Sequence, residues 1–370
     1  MTDGLKRVTT WFDPRYARLQ ASLDASLPDH VNLIQPNESG RVLVYSYSDK
    51  DPGRWYLVDT KAMSMKLVGQ RMPSIDPDRM QPMRTLHYPS FDGLSIPAYL
   101  TLPGKPSGPA PTVVLIHGGP QARDRWAFDV EAQILAAHGY AVFQPQFRGS
   151  SGFGKKFEEA GYGQWGQAMQ EDINAGVRYL VEQKIADPQR LCIVGGSYGG
   201  YAALWALAKD PQLFKCGVSL AGVSDLRRML HDDSDMSQNA IVREIVRHRL
   251  GDAGEMKATF DSVSPLKHAD RIVAPLLLVH GDLDRRVPVS HGKQMHDAMT
   301  ALGKDVEWIE FPDEGHGLSR PANMRIYYAS VFRLLERTIG KGEPPFLPLA
   351  ATGPGRDIPL TPPTEGIDNP

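Results

Sequence analysis

Ser197 sits in Val194-Gly195-Gly196-Ser197-Tyr198-Gly199-Gly200, a G-x-S-x-G with an apolar run before it and good helix formers after it. This is the strand–turn–helix context of a nucleophile elbow. A serine hydroxyl is a weak nucleophile: it needs a base, and the base needs an orienting carboxylate. Asp284, in Gly281-Asp282-Leu283-Asp284-Arg285-Arg286-Val287-Pro288, and His316, in Asp313-Glu314-Gly315-His316-Gly317, supply both, in the chain order Ser, Asp, His. Asp282 competes with Asp284 for the carboxylate role. A tetrahedral oxyanion also needs N–H donors. The backbone of Tyr198, directly after the serine, is one candidate; Gly119, in His117-Gly118-Gly119-Pro120, is the other. Each residue alone has a bland reading, as a tight glycine turn, a capping aspartate or one of 11 histidines. Taken together, in this order, they point to acyl transfer.

Such groups must be held at strand ends. Strand-like runs at 112–116, 141–143, 191–194, 217–220, 275–279 and 306–310 alternate with helix-like stretches at 128–138, 168–184, 201–208, 291–302 and 321–339. The alternation predicts a mostly parallel, doubly wound α/β sheet with helices on both faces. The polar stretch 224–265 reads as an insertion with a short helix at 241–246. Upstream, 42–48, 55–59 and 62–68 read as antiparallel strands, and Asp92-Gly93 turns a hairpin within 87–100. The predicted organisation is a β-rich segment 1–82, a catalytic α/β domain 83–340 and an extended, proline-rich tail 341–370. The first segment amounts to one propeller blade, which cannot form a propeller without neighbours.

The chain has 370 residues, 41% of them hydrophobic, enough for a full core. Its 41 basic and 43 acidic residues are interspersed, so neither nucleic acid nor a membrane surface is an expected partner. No signal peptide is visible, and the apolar stretch at 272–279 is too short to span a bilayer. There is no Walker loop, no G-x-G-x-x-G after a strand and no H-E-x-x-H, so no metal or cofactor is expected. Cys192 and Cys216 lie in apolar strand-like runs and read as two buried thiols of a reducing compartment. A cytoplasmic protein is therefore the expectation. Exposed β edges favour pairing and predict a homo-oligomer.

The chain resembles the prolyl oligopeptidase family of serine peptidases, in its acylaminoacyl-peptidase-like branch, over about residues 83–340. The resemblance rests on His117-Gly118-Gly119-Pro120, Arg148-Gly149-Ser150-Ser151-Gly152-Phe153-Gly154 and Gly195-Gly196-Ser197-Tyr198-Gly199-Gly200-Tyr201. It rests also on His280-Gly281 with Asp284 and Val287-Pro288, and on Gly315-His316-Gly317. It implies an α/β-hydrolase fold, with Ser197 as nucleophile, Asp284 as orienting acid, His316 as base, and the N–H groups of Gly119 and Tyr198 as oxyanion donors. It further implies that Arg286 touches the substrate backbone, and that Val223, Leu226 and Val287 line an apolar pocket for the residue on the acyl side of the scissile bond. The expected function is hydrolysis of oligopeptide or acylaminoacyl substrates through an acyl-enzyme. A carboxylesterase acting on small acyl esters with the same groups is the alternative. A non-catalytic binding module is a third reading, which the intact serine, aspartate and histidine oppose. Members of the family usually carry a large N-terminal propeller. Here there is room for about one blade, so the chain is either a piece of a longer peptidase or a natural short form, and in both cases a more open cleft is expected.

Overall fold

A computed structural model of the chain describes residues 5–104, 106–231, 240–251, 256–341 and 358–359. They divide into two units. The first holds residues up to Met83, Arg125–Ala137 and the pair 358–359. Asp13 caps helix α1 (Pro14–Ser26), accepting from Arg15 N–H at 2.8 Å, and a proline occupies the first turn. Strands β1 (Val31–Gln35), β2 (Arg41–Tyr47), β3 (Arg54–Asp59) and β4 (Ser64–Gln70) follow as an antiparallel meander. Their side chains alternate across the sheet, and one face gathers Val42, Val44, Tyr56, Val58 and Met65 against Leu19 and Leu23 of α1. The sequence predicts three strands here; the structure adds β1 and the covering helix. Ile358 and Pro359 pair antiparallel with Met65 and Ser64. Helix α2 (Val130–Ala137) also belongs to this unit.

The second unit is built on an eight-stranded sheet of β5 (Met83–Pro89), β6 (Ser95–Thr101), β7 (Ala110–Ile116), β8 (Ala141–Pro145), β9 (Ala186–Gly196), β10 (Cys216–Leu220), β11 (Leu276–Gly281) and β12 (Val306–Phe311). The strand order is β12-β11-β10-β9-β7-β8-β6-β5. All pairs from β8 across to β12 are parallel, and β6 runs antiparallel to β8. Every residue of β7 is buried, as in a sheet covered on both faces. The connecting helices are α3 (Lys155–Glu159), α4 (Ala168–Glu182), α5 (Tyr198–Lys209), α6 (Leu226–His231), α7 (Ala240–Leu250), α8 (Lys257–Ser262), α9 (Ser290–Ala301) and α10 (Pro321–Ile339). Helix α5 packs on β9 and β10, and α10 on β9, β10 and β11. From β7 the chain moves outward to β8; from β9 it proceeds the other way, to β12. Open α/β sheets bind ligands beyond the strand ends at such a reversal.

One expectation is corrected here. The parallel register sets Cys192 of β9 opposite Cys216 of β10 with Cα atoms 4.8 Å apart, and the two sulfurs are joined in a disulfide rather than standing as free thiols. Among the described residues no helix is long and apolar enough to cross a membrane. The predicted tail 341–370 lies outside the described residues, apart from Lys341 and the pair 358–359.

Candidate active site

Strand β9 ends at Gly196 and α5 begins at Tyr198, so Ser197 alone makes the turn, at φ 59° and ψ −118°. A non-glycine residue seldom holds positive φ, and neighbours fix it here. Ser197 N–H donates to Leu220 O at 2.9 Å, and Ser197 O accepts from Tyr201 N–H at 3.0 Å. Glycines permit the close approach on either side. A Cβ on Gly199 would overlap the carbonyl oxygen of Ile116, and one on Gly195 would overlap the backbone of Gly199. The serine is left half-buried at the end of the sheet.

His316 Nε2 lies 2.9 Å from Ser197 Oγ, and its Nδ1 lies 2.7 Å from Asp284 Oδ2. Exposure falls along this line: the His316 side chain is 16% exposed and that of Asp284 is fully buried. Burial opposes ionisation of Asp284, but hydrogen bonds from His280, His316 and the Val287 N–H hold its carboxyl well below the usual carboxylate range. Its other oxygen accepts from Arg286 N–H at 2.8 Å and Val287 N–H at 3.0 Å. An ionised carboxylate can only accept, so His316 Nδ1 carries the proton and Nε2 turns its lone pair to the serine hydroxyl. Asp282, the competing carboxylate, is exposed.

The loops that carry these side chains are joined by backbone. Asp282 N–H donates to Phe311 O and Leu283 N–H to Glu314 O, both at 2.9 Å. A side chain on Gly281 would overlap Gly315 O, so only glycine lets the two loops meet. His280 is buried beneath them; its Nε2–H donates to Val287 O at 2.8 Å and lies 3.4 Å from Asp284 Oδ2. Glu314 is 1% exposed. Its carboxylate accepts from Ser319 N–H at 3.0 Å, Ser319 Oγ–H at 2.7 Å, Arg320 N–H at 2.9 Å and Asn323 Nδ2–H at 2.9 Å. Burial works against its charge, yet these donors bring the carboxyl down to about 2.

On the other side of the serine lies the loop after β7. A Cβ on Gly118 would sit 3.4 Å from Ser197 Cβ, so this loop lies against the turn. Gly119 has φ 120°, which glycine adopts without strain. The Tyr198 N–H, at the first position of α5, has no intrahelical acceptor. His117 supports the loop: its ring stacks on Phe147, with centroids 4.5 Å apart, and Nε2 lies 2.9 Å from Ser150 Oγ. Nδ1–H donates to Gly118 O at 2.8 Å, since a carbonyl can only accept. Burial pushes this imidazole down to about 4, so it is neutral at pH 7. Beyond it, the buried Arg148 guanidinium reaches Asp172 at 2.7 Å and Asp92 at 2.9 Å, tying the Arg148–Gly154 stretch to α4 and to the β5–β6 turn.

Thus Ser197, Asp284 and His316 come together, with Gly119 and Tyr198 beside them. The substrate-contact expectations fare differently. Arg286 is exposed, with its backbone bound to Asp284. Val223, Leu226 and Val287 are almost fully buried, in the core cluster that also contains Phe147, Trp165 and Tyr198. His280, Glu314 and the Arg148–Asp172 pair have supporting roles that reading the residues alone does not assign. The available signal is proximity in sequence, since Glu314 stands two residues before His316 and His280 four before Asp284.

A model of the prolyl oligopeptidase family matches residues 126–342. Dipeptidyl aminopeptidase BIII of Pseudoxanthomonas mexicana is 35% identical over 346 residues, covering 90% of this chain and 50% of that protein. A solved puromycin-hydrolyzing peptidase of Mycobacterium tuberculosis superposes with a TM-score of 0.75 at 26% identity, covering 83% of this chain and 47% of its own. The acylaminoacyl peptidase of Pyrococcus horikoshii superposes with a TM-score of 0.74 at 26% identity, covering 86% and 51%. The chain spans about half the length of these relatives. With the sheet order and the turn at Ser197, these likenesses make the second unit an α/β-hydrolase fold.

Proposed function

The chain belongs to the prolyl oligopeptidase family, and from that premise we propose that it is a serine peptidase acting through an acyl-enzyme on short peptide or acylaminoacyl substrates. Ser197 Oγ attacks the scissile carbonyl carbon while its proton passes to His316 Nε2. The carbonyl π pair moves onto oxygen, where the N–H groups of Gly119 and Tyr198 hold the negative charge. Collapse breaks the C–N bond; the amine leaves with the proton from Nε2, and an ester on Ser197 stays behind. Water then gives a proton to Nε2 and attacks that ester. The second collapse releases the acid and returns the proton to Ser197. Buried Asp284 keeps its charge throughout and stabilises the imidazolium in both halves. The observation that carries this reading is the His316 contact pair, 2.9 Å to the serine and 2.7 Å to an ionised Asp284, because it fixes which ring nitrogen accepts.

In this reading residues 83–340 are the catalytic domain, Val223, Leu226 and Val287 back an apolar site for the acyl-side residue, and Arg286 reaches the substrate backbone. The relatives bear the names of peptidases, which favours amide over ester as the physiological bond. The cytoplasmic location stays a proposal, and it loses the support of free thiols now that Cys192 and Cys216 are bonded. Rates on N-acetylated and free aminoacyl p-nitroanilides, set against short p-nitrophenyl esters, test the function. Turnover of anilides with apolar acyl-side residues is expected. Turnover of esters alone would sink the peptidase reading in favour of a carboxylesterase.

A further inference from the structure

His316 stands between two glycines: the carbonyl oxygen of Gly315 lies against Gly281, while Gly317 has open space beside it. Among the described residues, a Cβ on Gly317 would meet nothing within 4 Å, and one on Gly315 would meet only Leu283 O, at 3.9 Å. The imidazole nevertheless has to stay within a few tenths of an ångström of its place between Asp284 and Ser197, since a misplacement of 1 Å in a reacting group costs about 100-fold in rate. The contact at Gly281 holds the start of the turn, at Glu314 and Gly315, but not its descent through Gly317. That second half has to be held by tying the loop's two ends together.

Both ends converge on Glu314. Its backbone oxygen accepts from Leu283 N–H, in the loop of Asp284. Its side chain crosses the base of the turn to Ser319, Arg320 and Asn323, at the entry to α10. The four residues between Glu314 and Ser319 are therefore closed into a ring with His316 in it. The N-terminus of α10 favours a negative group at this point. A buried carboxylate whose acceptors are all used cannot be removed without leaving several donors unpaired.

We propose that Glu314 is a positioning residue for His316: its carboxylate closes the turn that presents the imidazole to Ser197. The inference rests on the reading of His316 as the base. Glu314→Gln keeps the size of the side chain but turns an N–H₂ toward donors that need an acceptor. Ser319→Ala with Asn323→Ala loosens the same clasp while the Glu314 charge is kept. The full chain is reacted with a fluorophosphonate, and the labelling rate per folded molecule is followed alongside kcat, KM and the melting curve.

Glu314→Gln is expected to slow labelling and kcat by about 10- to 100-fold with KM little changed, at a temperature where the variant is fully folded. The double variant is expected to slow both to a smaller degree, and it carries the test if Glu314→Gln does not fold. In a His316→Ala background, Glu314→Gln is expected to leave the residual labelling rate unchanged, because the clasp then has no imidazole to place. Wild-type labelling rates in the folded variants overturn the proposal, as does an equal loss with and without His316. Failure of the wild-type protein to label at all would instead strike the reading on which the proposal rests.

Discussion

Asp284 and Asp282 stand two positions apart and live in opposite surroundings. One is sealed beneath the His316 ring with three donors on its oxygens and His280 close by; the other is exposed to solvent. Desolvation strengthens the field of the first and water screens that of the second. Asp284→Asn presents an amide that can donate to His316 Nδ1, which favours the tautomer whose Nε2 carries the proton and cannot act as base. It should lower kcat by about 10⁴-fold, the loss seen when the orienting aspartate of such a triad is replaced. Asp282→Asn should change kcat by less than about twofold, as expected for an exposed charge that touches no reacting group. Steady-state kinetics on the best anilide substrate checks both, and equal losses would show that the wrong carboxylate has been assigned.

At the level of elements, the site depends on a strand, a one-residue turn and a helix brought closer together than side chains allow. Gly199 is where this matters most: the atom that an alanine would meet is the Ile116 carbonyl oxygen, part of the backbone of a fully buried strand with no room to yield. Gly199→Ala should therefore cost about 4 kcal/mol or more, the range reserved for severe steric or packing faults. Thermal melting, or the loss of soluble protein, reads this directly, and a melting point near that of the wild type would contradict it. The same elements show what can be read from residues alone. Helix α10 coincides with the stretch 321–339 because its apolar residues repeat at helical spacing and a proline opens it. The stretches 113–116 of β7, 191–194 of β9 and 276–279 of β11 are uninterrupted apolar runs. Ser197 and Asp284 are legible because each lies just past such a run, and His316 because it follows the next strand, β12, in the order Ser, Asp, His. Helix α1 is harder, since only Leu19, Ser22 and Leu23 are buried along it, although the Asp13-Pro14 start is a capping signal. Glu314, His280 and the Cys192–Cys216 bond are not legible, because burial of a carboxylate and the register of two strands are set by distant parts of the chain.

For the molecule as a whole, the groups assigned to the reaction all belong to the second unit, which also contains most of the family match. The first unit is a helix-covered antiparallel sheet with a core of its own. The account accordingly turns on chemistry at one serine of the second unit, and one measurement reaches it without knowledge of the natural substrate. The intact protein is treated with a fluorophosphonate, digested, and mapped by mass spectrometry. A single phosphonyl group on the peptide that carries Ser197, abolished by Ser197→Ala and strongly slowed by His316→Ala, is the predicted result. Folded wild-type protein that takes up no label, or takes it up on another residue, would contradict the account.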